Sequence, residues 1–244
     1  MRTLSQADLL ALWESGRTLH PIDQGLLAIH AAFPDTRHES VADWPLGRRN
    51  RALAQLRCAC FGASLRGWTS CRQCGEKLEF EFNGRSIADG CAPEHQEPIV
   101  VRGCAFRVPT SRDLAQIARF AAEHDAAEAA LRLLEQCRTD ASPVPPSGSD
   151  APGWTQEDVD AIGEQMALAD PLAEIMLDFT CPACAESFQE SLDFPAFLWT
   201  EMEAQAKRLL LDVHALASAY GWSESEILSL SAARRALYLQ MVHA

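Results

Sequence analysis

No apolar run in this chain approaches the roughly 18–20 residues that a membrane-spanning helix needs, and the best candidate, around Leu209 and Leu211, is interrupted by charges. Residues 1–10 carry one arginine and alternate polar with apolar side chains, so the apolar core of a secretory signal is missing there. Basic residues are in deficit. Twenty-one Lys and Arg face 34 Asp and Glu, and the net charge of −13 repels phosphate backbones, which disfavours nucleic acid as a main partner. Catalytic signatures are also absent: the seven histidines are scattered, and there is no His-Glu-x-x-His helix, no Gly-x-Ser-x-Gly elbow and no P-loop. His214 falls on a long helical pattern, where a satisfied structural histidine is the simpler reading. These absences lead us to expect an acidic, soluble, cytoplasmic protein with no membrane partner and no catalytic residues.

Helix starts are plentiful. A Ser or Thr followed three residues later by an acid forms a capping box, in which the hydroxyl takes an orphan amide and the carboxylate returns the bond. Ser5 with Asp8, Thr110 with Asp113, Thr155 with Asp158 and Ser223 with Glu226 all have this form, and Ser231 is a weaker cap before residues 232–242. Apolar periodicity adds helices at 22–32 and 48–61, the second with Leu53, Leu56 and Cys60 on one face. A helix over 196–220 stops at Gly221, a residue suited to the left-handed position that ends a helix. Strand character is confined to 77–82, 99–101 and 174–179.

The expected fold is mainly α with a small antiparallel β zinc ribbon. Residues 1–65 form an N-terminal helical region, and 66–107 hold the first ribbon half and short strands. Residues 108–137 form one long helix, and 138–153, rich in Pro, Ser, Gly and Asp, a flexible linker. Residues 154–195 carry a helix and the second ribbon half, and 196–244 a long C-terminal helix followed by a helical hairpin. Most of the six tryptophans, Trp13, Trp44, Trp68, Trp154, Trp199 and Trp222, fall at element boundaries, where they fit anchors of helix starts, with an interface role as the alternative reading.

Nine cysteines in a chain read as cytosolic point to metal before disulfide. Two Cys-x-x-Cys pairs stand in a weak internal repeat. Thr69-Ser-Cys-Arg-Gln-Cys-Gly-Glu-Lys-Leu-Glu-Phe-Glu-Phe aligns with Phe179-Thr-Cys-Pro-Ala-Cys-Ala-Glu-Ser-Phe-Gln-Glu-Ser-Leu. Each pair, followed by a small residue (Gly75, Ala185) and alternating apolar side chains, fits the turn of a zinc-ribbon half. We therefore expect Cys71, Cys74, Cys181 and Cys184 to bind one structural zinc, since four thiolates leave no coordination position open. Two other readings stay open: a redox pair at Cys181 and Cys184, and a nucleic-acid adaptor using Arg66, Trp68, Arg72 and Lys77. Cys58, Cys60, Cys91, Cys104 and Cys137 follow no ligand spacing.

Several segments resemble a known family. They are Phe106-Arg-Val-Pro-Thr-Ser-Arg-Asp-Leu, Ala169-Asp-Pro-Leu-Ala-Glu, Phe197-Leu-Trp199, and the ending that runs from His214 through Trp222-Ser-Glu-Ser-Glu-Ile-Leu-Ser-Leu-Ser-Ala-Ala-Arg-Arg. The chain is similar to the T4-type baseplate protein family, described as baseplate hub assembly chaperones, of contractile phage tails and phage-tail-like injection systems. Its members share the Trp-Ser-x-x-Glu-Ile-Leu-x-Leu-x-x-x-Arg-Arg ending. The resemblance implies a non-enzymatic assembly or structural role with hub, spike or tape-measure proteins as partners. Trp222, Ile227, Leu230, Arg234, Arg235 and Tyr238 are the candidate partner-binding residues, with the closing of the protein's own core as the competing use of the same apolar side chains.

Overall fold

In the computed structural model, residues 1–38, 40–91, 97–139 and 153–242 are described. The chain forms two compact units, one built from Met1–Asp35 with Pro195–Ala244 and the other from Thr36–Phe194.

The order begins with α1 (Gln6–Gly16), α2 (Pro21–Ala32) and α3 (Leu46–Phe61), followed by strands β1 (Ser64–Ser70) and β2 (Lys77–Asn83). A short α4 (Arg85–Ala88) precedes β3 (Ile99–Val101) and β4 (Cys104–Phe106), then α5 (Ser111–Phe120), α6 (Ala126–Cys137) and α7 (Gln156–Ala169). Strands β5 (Met176–Thr180) and β6 (Ser187–Ser191) lead to α8 (Phe194–Tyr220), α9 (Glu224–Ser229) and α10 (Ala232–Val242). The protein is thus mostly helical with small antiparallel sheets. Among the described residues the strands form three separate two-stranded hairpins, β1–β2, β3–β4 and β5–β6; β2, β3, β5 and, from the alternation after Cys184, β6 are expected from the sequence, and β1 and β4 are not.

The four capping boxes expected from the sequence are formed at Ser5, Thr110, Thr155 and Ser223, each with both reciprocal bonds. The single helix expected over 108–137 is instead two, because Asp125 caps a new helix by accepting the Glu128 amide at 2.9 Å. Asp125 supplies the forward cap bond alone, in the polar interruption Glu123-His124-Asp125 between two apolar stretches. The linker expected at 138–153 lies largely outside the described residues. Of its first residues, Arg138 bridges to Phe106 and Thr139 donates its amide to the Ala105 carbonyl at 2.8 Å.

In the larger unit, Cys104, Phe106, Leu134, Cys137, Ile162 and Met166 form a buried cluster against which Trp154 and Val159 pack. The β3–β4 turn has positive φ at both central residues, Arg102 (51°) and Gly103 (77°), the feature of a type I′ hairpin turn. Two of the unassigned cysteines, Cys104 and Cys137, are spent in this core, where burial pushes the Cys137 thiol up to about 12.

In the smaller unit, α8 ends as expected, with Gly221 at φ 69° and its amide on the Ala217 carbonyl at 2.8 Å. The C-terminal segments then fold back. Ile227 is fully buried, and the buried Arg235 guanidinium donates to Asp212 at 2.8 Å and also to Gln6. Tyr220, Trp222 and Tyr238 form one aromatic cluster, with Trp222 stacked on Tyr220 at 4.8 Å and edge-on to Tyr238 at 4.9 Å. Removing one partner of a buried ion pair leaves the other charge uncompensated, a loss on the order of 3 kcal/mol. Arg235→Ala is expected to lower the urea midpoint of the chain accordingly. An unchanged midpoint would mean that Asp212 finds equivalent solvation without it.

Candidate metal centre

The site rests on two hairpins whose turns are copies of each other. In the first, the Cys71 amide donates to the Glu76 carbonyl at 2.8 Å and the Gly75 amide to the Cys71 carbonyl at 2.9 Å. In the second, the Cys181 amide donates to Glu186 at 2.8 Å and the Ala185 amide to Cys181 at 2.9 Å. Gly75 (φ 76°) and Ala185 (φ 60°) both take the left-handed conformation that reverses the chain after the second cysteine. Glycine suits that position, and alanine tolerates it at a steric cost. The weak sequence repeat is therefore a repeat of backbone geometry.

These turns aim amides at sulfur. The Cys74 and Gln73 amides point to the Cys71 sulfur, the Glu76 amide to Cys74, and the Glu186 amide to Cys184. The Cys74 amide is the largest influence on Cys71 and helps bring its thiol down to about 7 against the opposing effect of desolvation. At Cys184 the Glu186 amide pulls downward, but desolvation and the hydrogens shared with the other three sulfurs push the thiol up to about 12. Cys74 is also raised: the Glu76 amide and the contact with Cys184 pull downward, while desolvation and the contacts with Cys181 and Cys71 push up.

All four sulfurs lie within 4.8 Å of one another, with Cys71–Cys184 and Cys74–Cys181 both at 3.6 Å. A divalent ion bound by sulfur at about 2.3 Å in a tetrahedron sets neighbouring sulfurs about 3.8 Å apart. The cluster is therefore sized for a four-thiolate metal site. Four ionised thiols this close would repel one another, and a cation at their centre removes that penalty. The structure thus brings together Cys71, Cys74, Cys181 and Cys184, an arrangement compatible with a bound metal such as zinc. Cys181 and Cys184 occupy the turn between β5 and β6, not a helix N-terminus, so the helix-start context of a thioredoxin-like redox pair is not present.

Apolar contacts hold the hairpins face to face. Leu78 is buried with Cys71 and Cys181, and Phe179 and Phe188 pack on them. Phe80 lies opposite Gly67, where an added Cβ would come 2.5 Å from its ring, and the ring also meets Phe82 on its own strand at 6.2 Å and Phe179 on the second hairpin at 5.4 Å. A glycine across from an aromatic lets the ring lie over the strand. Arg72 reaches across to Glu190 with two bonds of 2.9 Å, a fork exposed enough to contribute little energy but well placed to fix register.

Both hairpins are rooted on α3. Its C-terminus at Gly62 (φ 86°) turns directly into β1, and the Gly84 amide closes the base of that hairpin on Ala63 at 2.7 Å. Its N-terminal half grips the approach to β5. The Gly47 amide donates to Asp170 at 2.8 Å, and the Asn50 amide group donates to the Leu172 and Ala173 carbonyls at 2.8 and 3.2 Å. Arg49 in turn donates to the Asn50 carbonyl oxygen at 2.9 and 3.1 Å and to Ser111 at 3.3 Å. Burial lowers Arg49 to about 10 and raises Asp170, whose second oxygen has no hydrogen-bond partner among the described residues. None of these positioning residues was singled out by spacing. The available signal was the polar pair Arg49-Asn50 inside a helix that packs, because such residues are buried only where their bonds are met.

The candidate partner residues are divided by the fold. Ile227 and Arg235 are buried and serve the protein's own interior, which removes them from a partner surface. Arg234 is exposed, while Trp222, Leu230 and Tyr238 are half-buried. In the first hairpin, Trp68 is 67% exposed with the Lys77 ammonium 5.2 Å from its ring centre. No helix is long and apolar enough to cross a membrane among the described residues. No family model, curated protein or solved structure matches the chain.

Asn50→Ala removes the Asn50 bonds to two backbone carbonyls and the acceptor of two of the Arg49 bonds, leaving Arg49 its bond to Ser111, at a cost of roughly 1–3 kcal/mol for each buried group left unmet. We expect a lower thermal midpoint together with weaker metal binding, although residue 50 touches no sulfur. Loss of stability with metal affinity intact would detach α3 from the positioning of the site.

Proposed function

We propose that this chain is a non-catalytic assembly protein of the baseplate of a contractile, phage-tail-like injection system, stapled by one structural zinc at a zinc ribbon formed by Cys71, Cys74, Cys181 and Cys184. The observation that carries the assembly reading is the C-terminal ending, because the shared positions coincide with those on which the fold of this segment depends. Trp222 centres the aromatic cluster, Glu226 closes the capping box of α9, Ile227 fills the interior, and Arg235 holds Asp212. Beside them Arg234, Leu237 and Met241 remain exposed, and they form the surface we assign to a hub, spike or tape-measure partner.

Zinc follows from the donor set. Four sulfurs with no carboxylate or imidazole favour a soft divalent ion in a closed tetrahedral shell, which stabilises structure and leaves no position for substrate. In small isolated fingers such binding contributes about 10 kcal/mol or more, comparable with the net stability of a whole domain. The nucleic-acid alternative is weakened by pairing: Arg66 is bonded to Glu81 and Arg72 to Glu190, which leaves the first hairpin with little free positive charge.

Metal analysis of chain purified without chelators is expected to return one zinc per chain, and Cys71→Ser to lower that occupancy. Zinc binding displaces thiol protons, so its apparent affinity should rise with pH. Below about pH 7 Cys71 also carries a proton, so the slope of log affinity against pH should steepen there when measured by chelator competition. A pH-independent affinity would sink the thiolate assignment. For the assembly role, affinity-tagged protein expressed with its neighbouring genes is expected to recover baseplate or tape-measure components. A repeated recovery of none of them would overturn that role while leaving the metal site untouched.

A further inference from the structure

The four cysteines differ in exposure. Cys74 and Cys184 are exposed residues, whereas Cys71 and Cys181 are buried. Each of the two 3.6 Å sulfur contacts joins an exposed cysteine of one hairpin to a buried cysteine of the other: Cys184 with Cys71, and Cys74 with Cys181. An exposed cysteine with a second sulfur within reach is the arrangement in which an oxidised thiol is captured as a disulfide.

We propose that Cys74 and Cys184 are the points of attack for hydroperoxides, and that oxidation converts the metal clamp into two disulfides between the hairpins, Cys71–Cys184 and Cys74–Cys181. The release of zinc rests on the metal reading above, while the sulfur pairing rests on geometry alone. The exposed thiolate attacks a peroxide oxygen, the O–O bond breaks, and a sulfenic acid and hydroxide result. The buried thiolate then attacks the sulfenic sulfur, the S–S bond forms as the S–O bond breaks, and a second hydroxide leaves. Each disulfide consumes one hydrogen peroxide and two electrons from sulfur. The zinc departs as Zn²⁺, and buffer protons neutralise the hydroxides.

The pairing has a structural consequence. A disulfide inside one Cys-x-x-Cys turn would close a loop of a few residues and leave the hairpins unlinked. Bonds between residues 107 and 113 apart in sequence keep the two segments tied after the metal has gone. Oxidation on this pattern exchanges one staple for another and leaves the fold standing.

The test uses the full-length, zinc-loaded chain carrying Cys91→Ser, which removes the exposed thiol outside the cluster. Hydrogen peroxide is added in small increments while a chelating dye reads zinc and non-reducing tryptic maps read the bonds. Trypsin cuts after Arg72, so Cys71 and Cys74 fall on separate peptides, 67–72 and 73–77. We expect each of these peptides to be joined to the peptide that carries Cys181 and Cys184. We also expect loss of four thiols in step with zinc release, retained helical circular dichroism, and reversal by dithiothreitol with zinc. Cys74→Ser should leave only the Cys71–Cys184 bond and Cys184→Ser only Cys74–Cys181. Peptides 67–72 and 73–77 joined to each other, or sulfinic acids as the main products, would overturn the proposal. Cys181 and Cys184 share one tryptic peptide, so the pairing is decided on the Cys184→Ser chain: peptide 73–77 joined to that shared peptide is expected, and peptide 67–72 joined to it instead would overturn the pairing. A chain that never holds zinc would sink the metal reading, and the same Cys184→Ser map on metal-free chain would still decide the pairing.

Discussion

Two hairpins more than a hundred residues apart in sequence must present their sulfurs to one point in space, and much of the larger unit is arranged to satisfy that constraint. One ion held by all four sulfurs would tolerate little error in either hairpin, since a metal–thiolate bond is short and its tetrahedral geometry fixed. Local backbone bonds set each turn. The relation between the turns comes from elsewhere, from Phe80 on Phe179, from the Arg72–Glu190 fork and above all from α3. Loop closure over such a length costs only slightly more than over a short one, because its entropy grows logarithmically, so a distant pairing carries no special penalty once the roots are held.

The role of α3 illustrates how a buried polar network acts as a spacer. Gly47 and Asn50 hold the chain at 170–173 by directed bonds while Arg49 braces the Asn50 side chain, and the approach at Gly47 is close enough that a side chain there would collide with Asp170. An apolar contact at the same place would allow sliding. Hydrogen bonds to two consecutive carbonyls do not, and the desolvation of Arg49 and Asp170 is the cost accepted for that register.

At the C-terminus the same residues serve folding and are proposed to frame recognition. The ending that resembles the baseplate family is occupied mainly with its own fold: a capping box, a buried isoleucine, an ion pair and an aromatic cluster. What is left facing outward, Arg234, Leu237 and Met241, is set by the helical phase that those buried residues impose.

How much of this was legible depended on the range of the interaction. The capping boxes at Ser5, Thr110, Thr155 and Ser223, the helix stop at Gly221 and the two cysteine turns are decided within a few residues, and the sequence by itself determined them. The cap at Asp125 is equally local but lacks the reciprocal bond that marks the boxes, and the partner strands β1 and β4 carry too little alternation to stand alone. Spacing could nominate four cysteines but not bring them together. That, the burial of Arg235 and Ile227, and the grip of Asn50 on residues 172 and 173 were decided only by the tertiary structure. Each depends on where a distant backbone happens to pass, and no pattern within a dozen residues encodes that.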